Sequence, residues 1–391
     1  MKVYLHTAKI DPHWVYKELM DCPPVPYHSF RQFELFNCFL SRFLISLGLP
    51  KLNYVPVKKF DLIHSCQSII VNDFPYVVDM VDHVVGFGNS RNCRHLLNKK
   101  FTRLVEHYLS SQNCKKILPA TEYHRESLRT YLDISRFKEK IEVVYPAHHK
   151  VEVDMRKGGG DTVRLLFIGN RFYAKGGREV LKAFDILRNK YRVRLTMICS
   201  DIPDEVRARY ASCQDLSLLP RLLPGSRLKL KMRNTITRLG WPVYQALPRE
   251  EIMRLYQEAD IFVLPDFMDS MVVYPEAMAH GIPIVSTDSP PTPEFVEDGV
   301  TGFLIPSPIF FLGEGVLKRW MDWYSFVEII KKSEFPAMVG ALVEKLSILI
   351  ENRDVRERMG AEARRRVEEG KFSLRERNTA LKRIYEEAIA R

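Results

Sequence analysis

The stretch MVVYPEAMAHGIPIVSTDSPPTPEFVEDGVTGFLIP, residues 271–306, changes character at its prolines and glycines, and that punctuation leaves few folds open. Pro275 falls in a first helical turn, where its missing N–H costs nothing. Ala277, Met278 and Ala279 continue the helix and Gly281 ends it. Ile282 to Ser286 is a short apolar run of the kind that forms a buried parallel strand. Glu294 opens a second helix after Pro293, and Thr301 to Ile305 returns as a strand. Glu276 sits in the first turn of the first helix. A carboxylate there lies close to backbone N–H groups at the ends of neighbouring elements. It can accept hydrogen bonds from sugar hydroxyls while those N–H groups hold phosphate.

A second chemical cue lies upstream. Val163 to Ile168 is a buried-strand pattern that runs into Gly169, Asn170, Arg171, Phe172, Tyr173, Ala174, Lys175, Gly176 and Gly177. An amphipathic helix follows, with Val180, Leu181, Ala183, Phe184 and Leu187 on its apolar face. A strand, a glycine-bearing turn, a cation and a helix start together make a diphosphate site.

The same alternation runs through the whole chain. Strands are expected over 2–5, 60–64, 75–81, 115–118 and 142–146, with helices over 94–110 and 122–132 between them. A second series has strands over 164–168, 194–199, 243–244 and 260–264, and helices over 178–188 and 249–259. Strands alternating with helices imply parallel, doubly wound sheets. The chain of 391 residues is long enough for two domains. Residues 148–161, with His148, His149 and the triple glycine 158–160, form a linker. The expected division is 1–147, the linker, 162–372, and a terminal helix 373–391 whose Leu374, Leu381, Ile384, Tyr385 and Ala388 share one face.

Composition narrows the function classes. No run approaches the ~20 apolar residues that span a bilayer, and the first residues lack a signal-peptide core. The seven cysteines are scattered without CxxC spacing, which argues for reduced thiols in a cytoplasm and against a zinc site. The net charge of +11 asks for an anionic partner. No zinc-finger spacing or aromatic RNA-binding signature accompanies it, so nucleic acid is not expected. The basic stretch 227–238 and the aromatic stretch from Phe310 to Phe326 suit either solvated and packed surfaces or an anionic bilayer. The inner face of the membrane is therefore a second expected location beside the cytoplasm.

The motifs EAMAHGIPIVSTD and PEFVEDGVTGFLIP resemble the donor-site signature of the retaining glycosyltransferases of family 4, the glycogen synthase and sucrose synthase superfamily. The resemblance implies a GT-B fold, two Rossmann-like α/β domains facing across a cleft, with the last helix packing back on the first domain. It implies transfer of a sugar from a nucleotide-diphospho-sugar, a substrate rather than a cofactor, to a glycan, lipid-linked or small-molecule acceptor. The family shows Gly-Arg, four residues, then Lys-Gly at its diphosphate site. Lys175 fits the lysine, Asn170 occupies the arginine slot, and Arg171 stands one place late. By the same resemblance Gly169, Asn170, Glu276, Thr292 and Glu294 bind the nucleotide, and Lys175, Arg171, Asp269 and His83 serve catalysis.

The chain also departs from the pattern. The family separates two glutamates by seven residues, whereas only six separate Asp269 from Glu276. Pro290-Pro291 stands where the family often has Gly-Gly, and proline offers no N–H. The backbone groups of Thr292 and Glu294 are the expected replacements. Either Asp82 or His83 could face the reacting centre after the strand at 75–81. No Asp-x-Asp triplet occurs, so no metal is expected, and arginine and lysine would supply its charge. Two other readings stay open: a nucleotide- or sugar-binding protein that has lost transfer, and an enzyme of the same fold such as a nucleotide-sugar epimerase.

Overall fold

The structure is a computed structural model that describes residues 1–6, 23–28, 40–41, 43–55, 60–81, 84–88, 93–152, 161–220, 247–268, 270–310 and 322–390. The chain divides into two compact units. The first gathers mainly Met1–Ala147 and Lys371–Arg391, the second His148–Gly313 and Phe326–Gly370.

In the first unit β1 (Val3–His6), β2 (Tyr27–His28), β4 (Leu62–Cys66), β6 (Tyr76–Met80) and β7 (Cys114–Pro119) form a parallel sheet in the order β2-β1-β4-β6-β7. The short β3 (Leu52–Asn53) and β5 (Ile69–Ile70) pair separately. Strand β4 is buried along its whole length, as strands covered on both faces must be. Helix α1 (Lys99–Ser110) is capped by the Asn98 side chain and buries Phe101, Val105 and Leu109 at helical spacing. Helix α2 (Glu122–Tyr131) is capped by Thr121. The strand expected over 142–146 does not form; an isolated bridge pairs Ile117 with Ile141 just before it. Beyond it, Glu142 and Val144 donate their N–H groups to the carbonyls of Ile117 and Pro119 along the edge of β7.

In the second unit β8 (Val163–Gly169), β9 (Val193–Cys199), β10 (Leu216–Pro220), β11 (Ile261–Leu264), β12 (Ile284–Thr287) and β13 (Gly302–Ile305) make an all-parallel sheet in the order β10-β9-β8-β11-β12-β13. The order reverses between β8 and β11, and ligands of open α/β sheets bind outside the carboxyl ends of strands at such a reversal. The crossovers are α3 (Gly177–Leu187), α4 (Asp204–Arg209), α5 (Arg249–Glu258), α6 (Val273–Ala279) and α7 (Thr292–Phe295). Helices α8 (Trp323–Lys332), α9 (Pro336–Glu351) and α10 (Arg353–Glu368) follow. Helix α10 packs on α6 through Gly360, where a β-carbon would lie 2.1 Å from the carbonyl oxygen of Gly281. The strand expected at 243–244 and the basic stretch 227–238 lie outside the described residues, as does most of the aromatic stretch. Of its ends, Tyr324 is exposed and Phe326 is buried. No helix among the described residues is long and apolar enough to cross a membrane.

The last helix, α11 (Leu374–Ala390), returns to the first unit. Its Leu381, Ile384, Tyr385 and Ala388 are all buried there. Tyr385 carries a polar lock within this apolar face. Its hydroxyl lies 2.5 Å from His64 Nδ1 and 2.6 Å from the Tyr27 hydroxyl, and His64 Nε2 lies 3.1 Å from Asp79 Oδ2. Burial pushes the Tyr385 phenol well above its ordinary pKa, so it remains a donor at neutral pH. One arrangement then satisfies the whole run: Tyr27 donates to Tyr385, Tyr385 to Nδ1, and Nε2–H to Asp79. Tyr385→Phe should cost about 1–3 kcal/mol, because it leaves buried polar atoms of His64 and Tyr27 short of a partner. Denaturant unfolding checks this, and a midpoint equal to the parent's would show that the hydrogen bonds add nothing.

Candidate functional site

The second sheet turns at Gly169 into a tightly bonded loop. Lys175 N–H donates to the Arg171 carbonyl at 3.0 Å, Gly176 N–H to Tyr173 at 3.1 Å, and Gly177 N–H to Phe172 at 2.8 Å. Arg171 takes the left-handed conformation, with φ of 69°, to start this turn. Gly176 must also be left-handed, at φ 71°, and a β-carbon there would meet the Pro265 carbonyl oxygen at 2.2 Å. Only glycine fits both demands. The loop after β11 is joined to it, since Phe267 N–H donates to the Ala174 carbonyl at 3.0 Å. The two loops on either side of the strand-order reversal therefore form one body.

Lys175 points into this body. Its ammonium lies 3.2 Å from Asp266 Oδ2 and donates to the Ser270 hydroxyl. Both Lys175 and Asp266 are buried, the aspartate completely. Thr287 donates its hydroxyl to the Asp266 carbonyl at 2.7 Å, and the Tyr274 hydroxyl makes a long 3.5 Å contact to Oδ1. Burial raises the Tyr274 phenol well above its ordinary pKa, which keeps it protonated. The same hydroxyl lies 3.0 Å from Ser286 Oγ and 3.3 Å from Thr292 Oγ1. Lys175 and Thr292, far apart in sequence, are thus linked through Asp266 and Tyr274.

Glu276 stands in the first turn of α6, on the same carboxyl edge of the sheet. Its Oε1 accepts from Arg249 Nη1 at 2.5 Å and its Oε2 from the Tyr256 hydroxyl at 3.0 Å. Tyr256 stacks on His280 at 5.2 Å, and His280 Nδ1 lies 2.7 Å from the Glu276 carbonyl oxygen. The carboxylate is therefore held in a fixed orientation by two side chains that begin and follow along α5.

The other expected residues divide. Gly169 closes β8, and Arg171 is half-buried in the loop. Asn170 places its side-chain oxygen in a buried position without a hydrogen-bond partner. Thr292 and Glu294 sit after β12 on the same edge, and in this structure both backbone N–H groups are engaged within the turn. Thr292 N–H already donates to Ser289 at 2.8 Å and Glu294 N–H to Pro291 at 2.9 Å, closing the turn. What Thr292 presents is its buried hydroxyl, and Glu294 a half-buried carboxylate. Asp269, His83 and Asp82 lie outside the described residues. Arg178, beside the loop, is committed elsewhere: it pairs with Glu179 at 2.6 Å and donates to the carbonyls of Ile330 and Lys331.

Sequence reasoning missed Asp266, Ser270, Tyr274, Arg249 and Tyr256. Asp266 was the one with a signal, because it follows a strand end at the carboxyl edge, as Lys175 does. In the first unit His64, Cys66 and Asp79 bring possible metal-ligand atoms within 4.8 Å of one another. Both ring nitrogens of His64 already have partners there, Tyr385 and Asp79. His64 and Asp79 also line a cavity of about 60 Å³ with Arg377, Tyr145 and Leu118.

Residues 162–309 match the family model described as Glycosyl transferases group 1. Over 66 residues the chain is 44% identical to the amylovoran biosynthesis glycosyltransferase AmsK of Erwinia amylovora, covering 15% of this chain and 16% of that relative. It is 41% identical over 66 residues, again 16% of the relative, to the putative colanic acid biosynthesis glycosyltransferase WcaL of Salmonella typhimurium. The chain thus spans about a sixth of the length of the curated relatives that it matches. Among solved structures it is similar to Anabaena Alr3699/HepE in complex with UDP and glucose, with a TM-score of 0.56 at 12% identity over 98% of both chains. The lipopolysaccharide outer core galactosyltransferase WaaB gives 0.54 at 12% identity over 98% of this chain and 100% of its own. TarM gives 0.54 at 11% identity, covering 90% of this chain and 58% of its own. These likenesses show the GT-B fold, with α/β architecture in two parallel-sheet units.

The Lys175–Asp266 pair makes a stability prediction. Lys175→Ala strands a buried carboxylate without its cation and should cost about 3 kcal/mol. Lys175→Ala combined with Asp266→Asn should recover more than half of that loss, as a double-mutant cycle in thermal melts would read. Additive losses in the double variant would mean that the two side chains do not interact.

Proposed function

We propose that the chain is a retaining glycosyltransferase that moves a sugar from a nucleotide-diphospho-sugar to a glycan, lipid-linked or small-molecule acceptor. The observation that carries the reading is Lys175 at the strand-order reversal, in a glycine turn that feeds the N-terminus of α3. A helix N-terminus and an ammonium together favour a diphosphate. The family match over residues 162–309 and the glycosyltransferase relatives support it.

In this reading Lys175 and Arg171 stabilise the diphosphate as its negative charge grows on departure, which is the step where a placed cation contributes most. Glu276, held by Arg249 and Tyr256, accepts from the ribose hydroxyls. Asn170 offers its side-chain oxygen to the nucleotide. Asp269 and His83 are assigned to positioning the sugar on the strength of the sequence resemblance. Two cations beside a helix terminus supply the charge that a divalent metal supplies elsewhere.

The deciding experiment presents the protein with UDP-, GDP- and ADP-sugars in the presence of EDTA and reads nucleoside diphosphate release with and without candidate acceptors. Release that survives chelation is expected with at least one donor. Binding without release for every donor would favour the alternative, a nucleotide-binding GT-B protein without transfer. Loss on chelation restored by magnesium or manganese would overturn the metal-free reading.

For the acceptor side, we propose contact with an anionic membrane through the basic stretch 227–238, which suits a lipid-linked acceptor. Each lysine or arginine near such a surface contributes about 1 kcal/mol. Co-sedimentation with phosphatidylserine vesicles at low salt, absent with phosphatidylcholine and fading as salt rises, is the expected result. Equal, poor binding to both would point to a soluble acceptor.

A further inference from the structure

We propose that Asp266 is a positioning residue of the donor site, which holds the Lys175 ammonium in place and yields it to the diphosphate of the donor. The inference rests on the reading of Lys175 as the diphosphate's cation.

Asp266 is placed independently of the lysine. Its N–H donates to the Leu264 carbonyl at 2.9 Å, its carbonyl accepts from Thr287 at 2.7 Å, and the next residue ties the loop to Ala174. The Tyr274 hydroxyl approaches its carboxylate from α6. The backbone therefore fixes the carboxylate even when the ammonium turns towards a ligand. Lys175, by contrast, reaches the pair from the loop after β8 on a flexible stem. It is steered by Asp266 Oδ2 at 3.2 Å and by Ser270.

The charges then decide what Asp266 does. With the pair intact, one ammonium and one carboxylate cancel in a buried setting. An arriving diphosphate brings at least two negative charges, is drawn to Lys175 and is repelled by Asp266 across a few ångströms of poorly screening protein. Asp266 thus weakens the grip on the bound diphosphate while keeping the ammonium where charge grows in the reaction. Contacts that strengthen only as that charge develops raise kcat, whereas uniform binding lowers KM alone. A residue with only a structural role would weaken binding and turnover together.

Asp266→Asn keeps the shape and an acceptor for Lys175 but removes the charge. Calorimetry with UDP, GDP, ADP and inorganic pyrophosphate should show at least one ligand binding about threefold tighter or more, from the lost like-charge repulsion. Turnover of the accepted donor should fall by about tenfold, from the loosened ammonium. Asp266→Ser, smaller and also able to accept a hydrogen bond, is measured beside it, and melting curves confirm that each variant is folded at the assay temperature. The two variants should agree in sign. Lys175→Gln is the control. If it weakens diphosphate binding while both Asp266 variants leave affinity unchanged or lower, the positioning role is overturned and the donor site stands. If neither Lys175→Gln nor the Asp266 variants alter any diphosphate affinity, the assignment of Lys175 falls and this inference falls with it.

Discussion

A lysine and an aspartate meet 3.2 Å apart where the strand order of the second sheet reverses, and most of the candidate site is organised around that contact. The pair joins the loop after β8 to the loop after β11, and the Thr287 hydroxyl extends the connection to β12. Three neighbouring strand ends are thereby tied into one rigid rim. A buried ion pair of this kind is costly to assemble, because both charges leave water. Its desolvation cost is offset by hydroxyls and backbone groups around it, so every element that supplies one is held to the rim. Gly176 is the geometric condition for the arrangement: it alone lets the first loop press against Pro265.

The sequence told much about this rim and little about its partners. Lys175 and Glu276 were legible because each stands at a fixed distance from local punctuation, a glycine turn or the first turn of a helix. The strands around them were legible because buried parallel strands are continuous apolar runs. Tyr274 and Tyr256 were not, and Asp266 only through its place after a strand end, because their roles depend on which strand ends become neighbours. That is a property of sheet order, and no local pattern encodes it. The double proline shows the converse. It removes two N–H groups, as proline must, and the turn that follows uses the N–H groups of Thr292 and Glu294 to close itself.

The first unit followed the same rule. Its main strands were visible as apolar runs, while β2, β3 and β5, each only two residues long, carry too few side chains to signal themselves. The expected strand over 142–146 was apolar enough, but it makes only edge hydrogen bonds from Glu142 and Val144 to β7 instead of a full ladder. The polar run from Tyr27 through Tyr385 and His64 to Asp79 was hidden for a stronger reason. Tyr385 lies 321 residues from His64, and its position on a helical face marked it as core without disclosing a hydrogen bond.

The two units consequently use buried polar groups for different ends. In the first, two hydroxyls, an imidazole and the Asp79 carboxylate satisfy one another, and the result fixes a helix on a sheet. In the second, the polar groups carry full and opposite charges, and they gather on the edge of a sheet where α/β folds bind ligands. The lysine and the aspartate of the second unit respond oppositely to an arriving anion. A charged pair changes its balance as soon as one arrives, since the ammonium is attracted and the carboxylate repelled. The Glu276–Arg249 pair on the same edge has the same property, because a hydroxyl-bearing ligand can share the carboxylate that Arg249 and Tyr256 hold in place. The run in the first unit thus joins a helix to a sheet, whereas the ion pairs of the second lie on the strand-end edge where α/β folds bind ligands.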